Sequence, residues 1–144
     1  MTDSGTELKS VVVEREFAHP PSKLWRALTQ PHLIEDWLMK IDAAPDAVGR
    51  QFHLTGDWGG VLDCEVLTLE PERSLAYRWD FDNEDSRYAL KSVVTFTLTP
   101  TEAGTHLRME QAGFRPDQPQ AYGGARHGWA AFFDKLDGLL ERGA

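Results

Sequence analysis

An α+β domain built on one antiparallel sheet follows from three observations. Apolar residues alternate with period two through most of residues 51–113. Ahead of them stand a β-branched strand and two helical stretches opened by prolines, and behind them a long stretch of helical period. A single sheet with one apolar face needs a cover, and the closing helix is the obvious element to supply it.

The elements follow in order. Ser10–Ala18 reads as a strand through Val11, Val12, Val13 and Phe17. His19-Pro20-Pro21 ends it, because proline has no N–H for a ladder and restricts the residue before it. Pro20 and Pro21 suit a helix entry, with Leu24, Trp25 and Leu28 on one face. Pro31 opens a second short helix carrying Leu33, Ile34, Trp37 and Leu38. Gln51–Asp57 is a strand, Trp58-Gly59-Gly60 a hairpin turn, and the next strand runs to about Leu69. Ser74–Phe81 has the cleanest alternation, with Leu75, Tyr77, Trp79 and Phe81 in phase. After the polar run Asp82–Ser86, a strand over Tyr88–Thr99 puts Tyr88, Leu90, Ser92, Val94, Phe96 and Leu98 on one face. Thr105–Gly113 returns with Leu107, Met109 and Gln111 in phase, and Arg115–Gln120 is a loop. The last helix spans about Gln120–Glu141, with Trp129, Phe132 and Leu136 toward the sheet. Gly123, Gly124 and Gly128 each cost about 1 kcal/mol of helix propensity relative to alanine, which moves its expected start toward Ala125. The reading is thus a curved antiparallel sheet of about six strands around a long C-terminal helix, with two short helices after the first strand. Residues 1–9 are expected to be frayed or disordered and residues 10–144 to form one domain.

Composition removes several function classes. The net charge of −8 opposes a phosphate backbone, so nucleic acid is not an expected partner. No apolar run is long enough for a membrane span and no signal peptide is readable. The single cysteine excludes an internal disulfide and, with these, makes the cytoplasm the expected compartment. The chain has no Gly-x-Ser-x-Gly, no dinucleotide-binding glycine pattern and no phosphate loop. His19, His32, His53, His106 and His127 include no His-x-His and no His-Glu-x-x-His, so neither a metal nor a cofactor is expected. Cys64 is in phase with Leu62 and Val66 and reads as a small buried hydrophobe. Strand phase sends Asp63, Glu65, Asp80 and Glu110 outward, so no carboxylate pair converges inside and no catalytic residue is assigned.

The inward face mixes aromatic, apolar and a few polar groups, which suits a small-molecule pocket and equally an ordinary core. The candidate lining is Arg15, Trp37, Tyr77, Trp79, Tyr88, Ser92, Phe96, Met109, Gln111, Trp129 and Phe133. Arg15 is in phase with Val11, Val13 and Phe17. It reads either as an anchor for an acidic ligand group or as a strand-end side chain reaching solvent or a structural acid.

The segments 13–29, Pro31-His32-Leu33 with Asp36-Trp37-Leu38, Val48-Gly49-Arg50-Gln51-Phe52, 69–79, 93–100, Gly104-Thr105-His106-Leu107, Gly113-Phe114 and Gly128-Trp129 occur in an order that resembles the SRPBCC superfamily. This is the START-like, birch-pollen-allergen-like group. Within it the chain looks like the branch homologous to the C-terminal domain of the activator of heat-shock protein 90 ATPase. Arg50 departs from the pattern, standing where many relatives have a second glycine. The resemblance implies a helix-grip fold with a hydrophobic cavity between sheet and C-terminal helix. It carries no shared catalytic motif. Three functions follow: binding of a small hydrophobic or amphipathic ligand, a co-chaperone-type interaction with a chaperone or other protein partner, or a cyclase- or hydrolase-like enzyme.

Overall fold

Proline shapes the first corner of the chain. In the computed structural model, which describes residues 8–85 and 88–143, strand β1 (Lys9–Phe17) runs into helix α1 (Pro21–Thr29) and helix α2 (Pro31–Trp37). Each helix has proline at its first position, where a missing N–H costs nothing. The residue before a proline is pushed out of helical geometry, and Gln30 is extended at φ −93°, ψ 121°, so α1 must stop there. That leaves the Ala27 carbonyl without its helical donor, and the buried Trp37 indole supplies one, donating to it at 2.8 Å. Leu24, Ala27 and Leu28 from α1 and Leu33, Ile34 and Trp37 from α2 bury the inner sides of this bent pair.

The remaining strands are β2 (Lys40–Ile41), β3 (Gln51–Thr55), β4 (Val61–Glu70), β5 (Ser74–Phe81), β6 (Leu90–Pro100) and β7 (Thr105–Phe114). They form a seven-stranded antiparallel sheet in the order β1-β7-β6-β5-β4-β3-β2. The count exceeds the expected six because Lys40–Ile41 pairs with Thr55 and Leu54, a strand too short to show a period. The sheet is a meander apart from one closure: β1 joins β7, with Val11 opposite Gln111 and Val13 opposite Met109. In β4 the register shifts between Val66 and Thr68, and Leu67 turns outward. Asp63 and Glu65 lie ahead of that bulge and keep their outward phase. Of the expected frayed segment 1–9, residues 1–7 lie outside the described residues, as do Ser86 and Arg87, and Lys9 belongs to β1.

Helix α3 (Pro119–Glu141) starts earlier than its glycines suggest. Pro119 stands at its first turn, and the buried Gln118 before it bolts that end down. The Gln118 side chain accepts from the Arg115 N–H at 3.1 Å and donates to the Ala89 carbonyl. Packing against the sheet then outweighs the local propensity cost of Gly123, Gly124 and Gly128. Trp129, Phe133, Leu136, Leu139 and Leu140 bury one stripe, while Phe132 is half-buried beside it. Rings link helix and sheet: Phe133 meets Phe17 at 6.0 Å between centroids, and Trp129 meets Trp79 at 5.1 Å and Phe96 at 5.8 Å.

A buried hydrogen-bond relay runs through this contact. The Trp129 indole donates to the Gln111 carbonyl oxygen at 2.8 Å, the Gln111 amide donates to Ser92 Oγ at 3.0 Å, and the Ser92 hydroxyl donates to the Trp79 carbonyl at 2.7 Å. Trp129→Phe keeps a ring but strands the Gln111 acceptor, and should cost on the order of 1–3 kcal/mol in urea unfolding. Trp129→Ala also removes the ring and should cost about 3–5 kcal/mol or more. A negligible loss in Trp129→Phe would mean that the relay contributes nothing.

Candidate functional site

Sequence alternation brings most of the expected lining together, but as a packed layer. Trp37, Tyr77, Trp79, Ser92, Phe96, Met109, Gln111, Trp129 and Phe133 are all buried on the concave side. Their polar atoms are largely spoken for by one another: the relay uses Ser92, Gln111 and Trp129, and the Trp37 indole is held by Ala27.

Two expected residues stand apart. Arg15 reaches a structural acid, donating to Asp134 of α3 at 2.9 Å with its guanidinium over the Phe133 ring at 5.9 Å. It clips the edge strand to the helix instead of facing the interior. Tyr88 is not on a strand. The N–H groups of Tyr88 and Ala89 both reach the Asp85 carbonyl, at 3.0 and 3.2 Å, which makes a turn and delays β6 to Leu90. Tyr88 is consequently 53% exposed.

That displacement puts Tyr88 at an opening. Phe81 at the end of β5, Tyr88, and residues 117–121 at the entry to α3 line a pocket of about 500 Å3. Its walls combine aromatic rings with Pro119 and Ala121, and the Gln118 contacts fix its helical side. Trp58 lies next to it, 62% exposed, with its ring edge-on to Phe81 at 5.3 Å. The hairpin accommodates that ring because Gly60 has no side chain: a Cβ there would lie 1.5 Å from it. A larger groove of about 890 Å3 lies at the other end of β5, between Glu70–Ser74 and Thr97–Pro100. Its charged and hydroxylated turn residues suit an apolar guest poorly.

Alternation puts Phe81 in phase, yet the expected lining does not include it, and residues 117–119 fall in the loop expected over Arg115–Gln120. Nothing local signals the pocket, because its walls come from a strand end, a turn and a helix start brought together by the Gln118 anchor.

The convex face carries an organised polar group as well. The ladder sets His53 opposite Asp63, Asp63 opposite Asp80, and Asp80 opposite Lys91. Two like charges face each other in this row, flanked by groups of opposite sign. His53 Nδ1 is 2.8 Å from Asp42 and Nε2 is 3.2 Å from Asp63. The bond to Asp42 is the main cause of a raised His53 pKa; bonds from the His53 backbone and side chain lower that of Asp42. Inside, burial pushes the Cys64 thiol and the Tyr77 hydroxyl up, so both are neutral and unreactive at ordinary pH. Among the described residues no carboxylate is buried, which leaves the interior without an acid–base pair.

The His53–Asp42 bond has a defined pH window. A raised histidine pKa stabilises the fold below the unfolded value of about 6.5, and the gain is lost as pH rises through the folded value. A lowered aspartate pKa stabilises above about 3.9, and the gain is lost as pH falls through the folded value. Both contributions are therefore present together from about pH 4 to 6.5. In an NMR titration His53 should titrate above a free histidine and move down in Asp42→Asn; an unchanged midpoint in that variant would refute the assignment.

The sequence profile described as Activator of Hsp90 ATPase homolog 1-like protein matches residues 18–141. The chain is similar to the crystal structure of protein MLL2253 from Mesorhizobium loti, with 64% identity and a TM-score of 0.91 over 94% of this chain and 99% of that one. DynU16, from the dynemicin biosynthetic locus, is 26% identical with a TM-score of 0.80; the match covers 93% of this chain but only 48% of DynU16. A protein from Rhodobacter sphaeroides is 27% identical with a TM-score of 0.73, over 98% of this chain and 95% of that one. No curated protein matches the chain significantly.

Proposed function

Because the chain belongs to the Activator of Hsp90 ATPase homolog 1-like family, whose fold is typical of ligand-binding domains, we propose that it binds a small hydrophobic or amphipathic molecule. We place the guest at the mouth between the end of β5 and the start of α3. The carrying observation is the pocket of about 500 Å3 walled by Phe81, Tyr88, Pro119 and Ala121. That volume falls in the range of about 300–1,000 Å3 usual for small-molecule sites. Trp79, Ser92, Gln111 and Trp129 form a tied layer on the concave side of the sheet, where Phe96, Met109 and Phe133 are also buried. In this reading the deeper residues hold the mouth in shape, and the aromatic rim makes the contacts. Burial of apolar area at about 25 cal/mol per Å2 drives the binding of a ring system there. DynU16 is a protein of a biosynthetic locus, which agrees with a small-molecule guest.

The test is an amide-shift titration with 2-naphthol as a neutral two-ring probe. Shifts should centre on Phe81, Gln118 and Ala121. Ala121→Trp should fill the pocket and cut affinity at least tenfold, while Ser92→Ala should lower stability and leave affinity within a factor of about three. No binding, or shifts centred on the groove at Glu70–Ser74, would overturn the proposal and shift weight to a protein-interaction role.

A further inference from the structure

The corner between β1 and α1 lies against the last turns of α3 and holds a group that ligand binding leaves unused. A ring nitrogen of His19 and carboxylate oxygens of Asp137 and Glu141 lie within 4.8 Å of one another. Asp137 and Glu141 stand one turn apart on the same face of α3, a spacing at which like charges repel. His19 Nε2 is fully buried and makes no hydrogen bond, although a buried polar atom is normally satisfied. His19 is held in place from both sides. Its carbonyl accepts from the Thr105 hydroxyl at 2.8 Å. Its Nδ1 lies 3.3 Å from the Lys23 ammonium, which also donates to the Leu140 carbonyl at 2.7 Å. Gly104 lets β7 approach this corner, since a Cβ there would sit 2.1 Å from the Phe17 carbonyl oxygen.

We propose that His19, Asp137 and Glu141 bind a divalent transition-metal ion of the zinc class. One imidazole and two carboxylates form a nitrogen–oxygen donor set suited to such an ion, with water completing the coordination. Zinc bonds of about 2.0–2.2 Å require the donor atoms to close to roughly 3.5 Å apart, a movement that rotation of the two acidic side chains supplies. With Lys23 donating to Nδ1, the neutral ring carries its proton on Nε2. Coordination through Nε2 moves that proton to Nδ1, and the ammonium then leaves the ring while retaining the Leu140 carbonyl. The cation removes the repulsion between the acids and ties the β1–α1 corner to α3. This runs against the expectation of no metal, which rests on histidine spacing along the chain, whereas this trio converges only through the fold.

The test is titration of the metal-free protein with zinc against a weak chromophoric chelator. One equivalent should bind, at least tenfold more weakly in His19→Gln and in Asp137→Asn, and more tightly in Lys23→Gln. His53→Asn should bind like the wild type, and millimolar magnesium should not compete. Zinc should also raise the melting temperature of the wild type and not that of Asp137→Asn. If His19→Gln is too unstable to study, the doubly substituted Asp137→Asn, Glu141→Gln chain takes its place. No binding, equal binding by Asp137→Asn, loss only in His53→Asn, or a Lys23→Gln chain that binds no tighter would each overturn the assignment. None of these readouts involves the pocket at Phe81.

Discussion

The hydrogen-bond relay from Trp129 to the Trp79 carbonyl fixes where the long helix lies. Apolar contacts alone would let α3 slide or rotate over the sheet at modest cost, because burial has no direction. A buried donor that finds its acceptor at one position only removes that freedom. The indole of Trp129 meets Gln111 on β7, Gln111 meets Ser92 on β6, and Ser92 meets β5, so three strands and the helix share one arrangement. Each member leaves the next unsatisfied if it moves.

That arrangement also decides what kind of site the fold offers. An interior whose polar atoms are mutually satisfied and whose rings touch edge to face has little to offer a guest. The opening forms instead where regular structure runs out together: β5 ends at Phe81, β6 begins only at Leu90, and α3 begins at Pro119. Gln118 spans these ends and makes the pocket a product of helix placement. The relay and the mouth are parts of one device, with α3 positioned by the first and exposing the second.

Much of this was legible from residue order. The alternation of Leu75, Tyr77, Trp79 and Phe81, the β-branched run at Val11–Val13, and the placing of Trp129 and Leu136 toward the sheet each reflect burial on one face, the signal that periodicity carries, while Phe132, expected on that face, is only half-buried. Ser92, Gln111 and Trp129 could be placed on the inner face, but their bonds to one another depend on strand register, which a single sequence does not encode locally. Tyr88 continues the alternation of Leu90 and Ser92 formally, but the backbone turn at Asp85 keeps it out of β6, which starts only at Leu90. Arg15 kept its phase, yet a long side chain at a sheet edge can reach around to Asp134. Lys40–Ile41 and the lining at residues 117–121 escaped for a common reason: they are short, and only their neighbours define them.

The bond between Trp37 and the Ala27 carbonyl bears on the order in which this corner could have changed over time. Pro31 ends α1 and takes away the donor that a longer helix would have given Ala27; Trp37 restores it from the next helix. A lineage that first lost Pro31 could extend α1 by a turn, satisfy Ala27 from the backbone, and then exchange Trp37 freely. A lineage that first lost Trp37 would pass through a chain with a buried, unanswered carbonyl. The two positions are therefore contingent on each other, and the accessible path between the two pairs, in either direction, passes through a chain that has Trp37 without Pro31.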